Sequence, residues 1–181
     1  MGYPATVDTG QIAPLALYDG EIADNGVVVV TANQIVFVGQ TLRANATLHA
    51  LRCQFNPGGS GHYDLGIYDS SGITPFAGGP GVLLAHTSAN ASVATSTAVQ
   101  TPTLQGGDLL LAPGNYWLAL WADNALDKFI RHTAAGVGMG VVLAGTVVAG
   151  PLPANASSVS GLATIGGSKP ILIGLWTGGW S

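Results

Sequence analysis

Four histidines are the residues of this sequence best suited to chemistry, because a neutral imidazole acts as a proton acceptor or a metal ligand near neutral pH. They are His49, His62, His86 and His132, which fall in separate segments. No two of them stand at the spacing of a metal-ligand pair, and no Cys or carboxylate cluster lies beside them in the sequence. We therefore predict neither a metal site nor a cofactor site.

Two further segments match motifs of catalysis or phosphate binding only in part. Ser60 lies close to His62, but residues 58–62 do not form the nucleophile elbow of a hydrolase. Residues 136–140 are rich in glycine, yet no strand-loop-helix pattern with a downstream acid surrounds them. Because the sequence offers no convergent acid, base and nucleophile, it predicts no catalytic residue and no enzyme activity.

Asp64 and Asp69 flank one apolar run and have the oxygen ligands that Ca²⁺ prefers. They lack the alternating acidic loop of a dedicated calcium site. We expect both to be solvated turn carboxylates.

Residues 109–121 form the most hydrophobic stretch of the chain and predict a strand that is apolar on both faces. Leu118 and Leu120 fall on one face and can fill the interior of a sandwich, while Trp117 and Trp121 fall on the other. The outward pair therefore needs a cover, which a loop, a subunit or a ligand can supply.

The tryptophans are the candidate recognition residues of this chain. They serve either as a protein interface or as a platform on which a sugar stacks, and they are Trp117, Trp121, Trp176 and Trp180.

Alternation over residues 47–55 predicts a half-buried strand, with Leu51 and Cys53 on one face and Arg52 and Gln54 on the other. Further strands are predicted at residues 34–38, 63–68, 82–87, 116–121, 129–132, 141–148 and 171–176. Short strands at this spacing favour an all-β fold, specifically an antiparallel, jelly-roll-like β-sandwich. Residues 1–33 predict an extended N-terminal arm, and residues 34–181 a single sandwich domain.

Charged residues make up only 8% of the sequence, against about a quarter in an ordinary soluble domain. The Lys and Arg residues never cluster, which excludes a phosphate-binding patch and hence a nucleic-acid partner. Residues 134–150 carry no charge, but their glycines and valines favour strands over a membrane-spanning helix. A surface this poor in charge predicts a protein that other copies or partners cover.

The lone Cys53 excludes an internal disulfide and predicts a small core residue. The N-terminus lacks the basic and apolar pattern of a signal peptide, so we expect synthesis and assembly in the cytoplasm.

Three segments resemble a β-sandwich domain that recurs in tail, fibre and head-surface proteins of tailed bacteriophages. They are GIYDSSG at 66–72, LLA at 83–85 and LAPGNYWLA at 111–119, and the likeness covers approximately residues 33–123. The resemblance implies a structural role in the virion and supplies no catalytic residue.

The sequence therefore predicts a non-enzymatic virion protein, assembled in the bacterial host, that decorates or cements the capsid or forms part of a head fibre or tail. Its expected partners are copies of itself, as a homotrimer, and the major capsid protein or other virion proteins. The alternative function is a carbohydrate-binding module that recognises a cell-surface glycan.

Overall fold

A computed structural model describes residues 11–12, 27–29, 32–54, 61–87, 91–92, 99–123, 128–132, 142–148, 150–164, 169–170 and 173–177. In these residues every regular element is a β-strand except one 3-10 helix, Ala156–Ser158. The prediction of an all-β fold is therefore confirmed. No helix in this part of the chain is long and apolar enough to cross a membrane.

The strands are numbered in chain order. They are β1 (Gln11–Ile12), β2 (Val27–Val29), β3 (Gln34–Leu42), β4 (Ala46–Gln54), β5 (His62–Asp69), β6 (Leu83–His86), β7 (Ala91–Ser92), β8 (Val99–Gln100), β9 (Leu109–Leu111), β10 (Gly114–Ala122), β11 (Lys128–His132), β12 (Val142–Thr146), β13 (Ser160–Thr164), β14 (Lys169–Pro170) and β15 (Ile173–Thr177). All of the strands predicted from the sequence are present, with ends that differ by a few residues.

The larger sheet is antiparallel and runs in the order β13-β12-β3-β10-β5-β6, and β7 also pairs with β5. β10 lies in its interior, between β3 and β5. Its pairing with β3 runs without a slip from Gly114 opposite Leu42 to Ala122 opposite Gln34. The apolar strand of the sequence is thus surrounded by other strands, as its lack of a polar face requires.

The smaller sheet has the order β1-β15-β4-β8, and β9 also pairs with β4. The chain passes from the larger sheet to the smaller one between β3 and β4 and again between β7 and β8, and it returns between β4 and β5 and between β9 and β10. At the crossing from β9 to β10, Pro113 and Gly114 favour a turn. The Tyr116 hydroxyl donates a hydrogen bond of 2.8 Å to the Ala112 carbonyl oxygen, which holds this corner.

Side chains from both sheets form one buried cluster. β3, β5 and β10 contribute to it from the larger sheet, and β4 and β9 contribute from the smaller one. Cys53 lies in this cluster as the sequence predicts, and burial raises the pKa of its thiol. A core shared by two sheets is the arrangement that a β-sandwich requires.

The opposite face of the larger sheet is covered by residues 150–159, here called the cover segment. A second buried cluster joins this segment to β3, β5, β10, β12 and β13, and it consists of Ile35, Phe37, Tyr68, Trp117, Ala119, Trp121, Leu143, Leu152, Ala156, Val159 and Leu162. The Tyr68 hydroxyl donates a hydrogen bond of 2.7 Å to the Pro153 carbonyl oxygen and ties the segment to β5. The central strands of the larger sheet are therefore buried on both faces.

Two pieces of the predicted arm are described, and both pair with strands of the same chain. β1 pairs with β15 of the smaller sheet. β2 pairs with β11, which also pairs with β14 in a separate small sheet. The rest of residues 1–33 lies outside the described residues except for residues 32–33, and residues 133–141 of the glycine-rich segment lie outside them as well.

Gly145 on β12 tests how closely the cover segment packs. A Cβ added there would overlap the Val159 side chain and lie 2.9 Å from the Ser160 carbonyl oxygen. We expect Gly145→Ala to lower the free energy of unfolding by about 1 to 3 kcal/mol, because the packed backbone has to shift. Gly114→Ala is the matched control, since its Cβ would meet nothing closer than 3.6 Å. Urea unfolding of both variants measures the difference, and equal stabilities would contradict the packing described here.

Candidate functional site

The outward tryptophans of β10 are covered by a loop of their own chain. Trp117 and Trp121 are each 4% exposed and belong to the cluster beneath the cover segment. The backbone of Gly150 lies directly against the Trp121 ring. Neither ring therefore presents an open face on which a sugar could stack.

The other two candidate tryptophans are placed only in part. The backbone of Trp176 lies in β15, opposite Leu48 of β4. Its side chain and all of Trp180 fall outside what the structure describes. The prediction that these two residues serve an interface or a glycan therefore stays a prediction.

Each histidine whose side chain is described lies beside an aspartate that is distant in sequence. The three Nδ1-to-carboxylate distances are 2.8 Å for His49 and Asp108, 2.7 Å for His62 and Asp123, and 2.8 Å for His86 and Asp64. No carboxylate cluster lies beside the histidines along the chain, but the fold supplies one carboxylate to each of these three. Because a carboxylate only accepts, each Nδ1 carries the proton of its hydrogen bond.

Asp64 is the buried member of these pairs, with 0% of its surface exposed. One carboxylate oxygen accepts from His86 Nδ1, and the other accepts from the Thr87 hydroxyl at 3.2 Å. The Thr87 oxygen in turn accepts from the Leu65 amide at 3.1 Å. The expectation that Asp64 is a solvated turn carboxylate is therefore wrong, because its position on β5 turns it into the covered face of the larger sheet.

Two of the histidine-aspartate pairs link different strands through a hydrogen bond between their side chains. His86 and Asp64 join β6 to β5, and His62 and Asp123 join the start of β5 to the end of β10. Within the described residues, no group of three or more His, Cys, Asp or Glu side chains is placed to hold a metal ion. The geometry thus gives these pairs a structural task that the sequence spacing did not reveal.

The loop that follows β5, residues 70–81, is held rigidly by Asp69. One oxygen of this carboxylate accepts from the Ser71 hydroxyl at 2.7 Å, from the Val82 amide at 2.8 Å and from the Ser71 amide at 3.1 Å. Partial burial works to raise the pKa of Asp69, but these hydrogen bonds outweigh it and hold that pKa below its ordinary value. Here the prediction of a turn carboxylate, made for both aspartates, describes Asp69 correctly.

The two sides of this loop approach each other so closely that only glycine fits at position 72. Gly72 donates a backbone hydrogen bond of 3.1 Å to Gly79, and a Cβ on Gly72 would overlap the Pro80 carbonyl group. The indole Nε1 of Trp117 donates to the Gly78 carbonyl oxygen at 2.9 Å. The Phe76 ring lies 6.1 Å from the Trp117 ring, centroid to centroid. The loop is therefore anchored to the core strand β10.

The tip of this rigid loop is apolar and open to solvent. Ile73 is 83% exposed, Phe76 is also exposed, and so is Val82 directly after the loop. Beside Ile73 lies an open groove of about 270 Å³, formed by residues 71–74 and 80–81 on one side and residues 155–157 of the cover segment on the other. A hydrogen bond of 2.8 Å from the Ala156 amide to the Gly81 carbonyl oxygen joins the two sides. This surface, the loop tip with its groove, is the candidate functional site.

The sequence predicted the turn at residues 69–72 and a loop at residues 75–81, but it did not single out Ile73 or Phe76. Two apolar residues among turn formers carry no periodicity, so a pattern of strands and turns cannot mark them as a surface. A usable signal was the absence of Lys, Arg, Asp and Glu from residues 70–107, since a long uncharged stretch that contains turns has to expose apolar atoms.

The chain matches no model of a protein family, no curated protein and no solved structure. Its likeness to structural domains of tailed phages therefore stays a prediction from the sequence, and its function is argued from its own residues.

The buried and the exposed histidine-aspartate pairs should differ in their effect on stability. His86→Ala leaves the buried Asp64 carboxylate without its imidazole donor and should lower the free energy of unfolding by about 2 to 4 kcal/mol. His49→Ala breaks a pair that water reaches, and its cost should stay within about 1 kcal/mol. Urea denaturation of both variants at neutral pH provides the comparison. A larger loss for His49→Ala than for His86→Ala would contradict the assignment.

The lowered pKa of Asp69 predicts a pH-dependent contribution to stability. Because the folded-state pKa is below the unfolded one, the carboxylate stabilises the fold above about pH 3.9 and loses this effect as the pH falls through the folded value. Asp69→Asn should therefore be less stable than the wild type at neutral pH, and the difference should shrink in acid. Denaturant unfolding from about pH 7 to about pH 2.5 measures it. A difference that does not vary with pH would show that the ionised carboxylate has no special role.

Proposed function

We propose that this chain is a non-enzymatic structural protein of a tailed-phage virion. It is a β-sandwich that decorates or cements the capsid, or forms part of a head fibre or tail, through homo-oligomeric packing with a trimer as the preferred state. Its partners are copies of itself and the major capsid protein or other virion proteins. The proposal combines the resemblance of residues 33–123 with the chemistry of the described surface.

The single observation that carries the proposal is where the few charges are placed. Each of the four described aspartates bonds to groups of its own chain: Asp64, Asp108 and Asp123 to histidines, and Asp69 to its loop. These carboxylates are engaged within the fold, although the side chain of Asp108 is still 59% exposed. A surface with so little free charge is suited to contact with other uncharged protein surfaces.

Exposed aliphatic side chains support the same conclusion. Leu110 on β9 is 72% exposed, and Val148, which follows β12, is fully exposed. Together with Ile73 they place apolar groups on different parts of the fold. A particle component that touches more than one neighbour needs several such surfaces.

The alternative, a carbohydrate-binding module, has less support from the described residues. Two of its four candidate stacking residues, Trp117 and Trp121, lie beneath the cover segment. The groove beside Ile73 does offer hydroxyl and amide groups, but no exposed aromatic ring lines it. The structural role is therefore the better supported of the two.

Sedimentation velocity and light scattering on the purified chain test the proposal. We expect a homo-oligomer, with a mass of three chains, at micromolar concentration, because a specific association needs only about 1,600 Å² of buried surface. A chain that stays monomeric over the whole accessible concentration range would contradict the proposed function.

A further inference from the structure

We infer that the loop tip and its groove form the contact between copies of this chain, with Ile73 of one copy seated in the groove of the next. This inference rests on the proposed homo-oligomeric function, and it identifies the surface that would build the oligomer.

Ile73, the side chain that projects into this contact, stands on a backbone that is held in position. Ile73 stands on a loop that Asp69 holds through three hydrogen bonds and that Trp117 anchors through Gly78. Its side chain is 83% exposed although the backbone around it is closely packed. A side chain presented on a rigid backbone loses little conformational freedom when it is bound, so more of its burial contributes to affinity.

The groove that would receive this side chain lies directly beside Ile73. Small residues form most of the groove wall, including Gly72, Gly81, Ala156 and Ser157. These residues leave an open space of about 270 Å³ that is accessible from solvent. An aliphatic side chain fits such a space without requiring a hydrogen-bond partner.

Because the projection and the groove share one patch, two copies of this patch can each offer a projection to the groove of the other. A symmetry axis beside it places each Ile73 in the groove of a neighbour, either reciprocally around a two-fold axis or in a ring around a three-fold axis. A surface that carried only a projection or only a groove would require a different partner.

The charge distribution also favours a second copy as the occupant. Residues 70–107 contain no Lys, Arg, Asp or Glu, so two such patches meet without repulsion between like charges. Asp69, the nearest acid in sequence, has one oxygen bonded to Ser71 and Val82. A charged partner such as a nucleic acid or a basic peptide finds no counter-charge on this loop.

Three variants of the full chain test the inference by sedimentation velocity over a range of concentrations. Ile73→Asp places a charge on the projection, and Ser157→Trp fills the groove from an exposed position. Each should weaken self-association by at least about tenfold. Thr103→Asp is the matched control, since it introduces the same charge at an exposed residue that bridges Ala50 on the smaller sheet, and it should leave association unchanged. Circular dichroism and thermal unfolding establish that each variant is folded.

The outcomes separate this inference from the proposed function. If the wild type associates and Ile73→Asp and Ser157→Trp associate equally well, the contact lies elsewhere and only the inference is overturned. If the wild type never associates, the proposed function fails as well.

An NMR titration with a neutral disaccharide such as lactose tests whether the groove binds a sugar instead. Shifts confined to Thr74 and Ser157, with association unaffected by Ile73→Asp, would show that the groove holds a sugar and would overturn the inference.

Discussion

The fold depends on covering a strand that is apolar on both of its faces. β10 directs Leu118 and Leu120 into the core between the two sheets, and it directs Trp117 and Trp121 to the opposite side. A strand of this kind is stable only in the interior of a sheet that is covered twice. The smaller sheet supplies one cover, and residues 150–159 supply the other. Both the two-sheet arrangement and the cover segment therefore follow from the composition of one strand.

The second cover also positions the candidate site. Its residues 155–157 form one wall of the groove, and Ala156 is both a member of the buried cluster and a backbone donor to Gly81. Trp117, which the segment helps to bury, anchors the opposite wall through Gly78. The burial of the tryptophans and the rigidity of the exposed loop thus result from the same contacts. A substitution that loosens the cover would therefore be expected to disturb the groove as well.

Much of this fold could be predicted from the sequence, because alternation and turn residues are local signals. The strand at residues 47–55 and the turn at residues 69–72 are examples. The partners of the histidines could not be predicted, since His62 and Asp123 are separated by 61 residues and meet only through the pairing of β5 with β10. The burial of Asp64 was missed for a related reason. In the sequence, a single acid within an apolar run looks like a residue at the end of a strand. Only the fold shows that a donor, His86, faces Asp64 and allows its burial.

The pairing of the described aspartates and the rigidity of the loop at residues 70–81 have a common physical basis. Ionised groups normally keep a protein soluble by remaining free in water, but the described aspartates are held by donors of their own chain. With little free charge, specificity toward a partner has to come from shape, and shape is specific only when the backbone that presents it is fixed. Asp69 connects the two requirements, because its ionised carboxylate is used to close the loop that presents Ile73. Asp69 thus acts on the proposed contact indirectly, by holding an uncharged surface in one conformation.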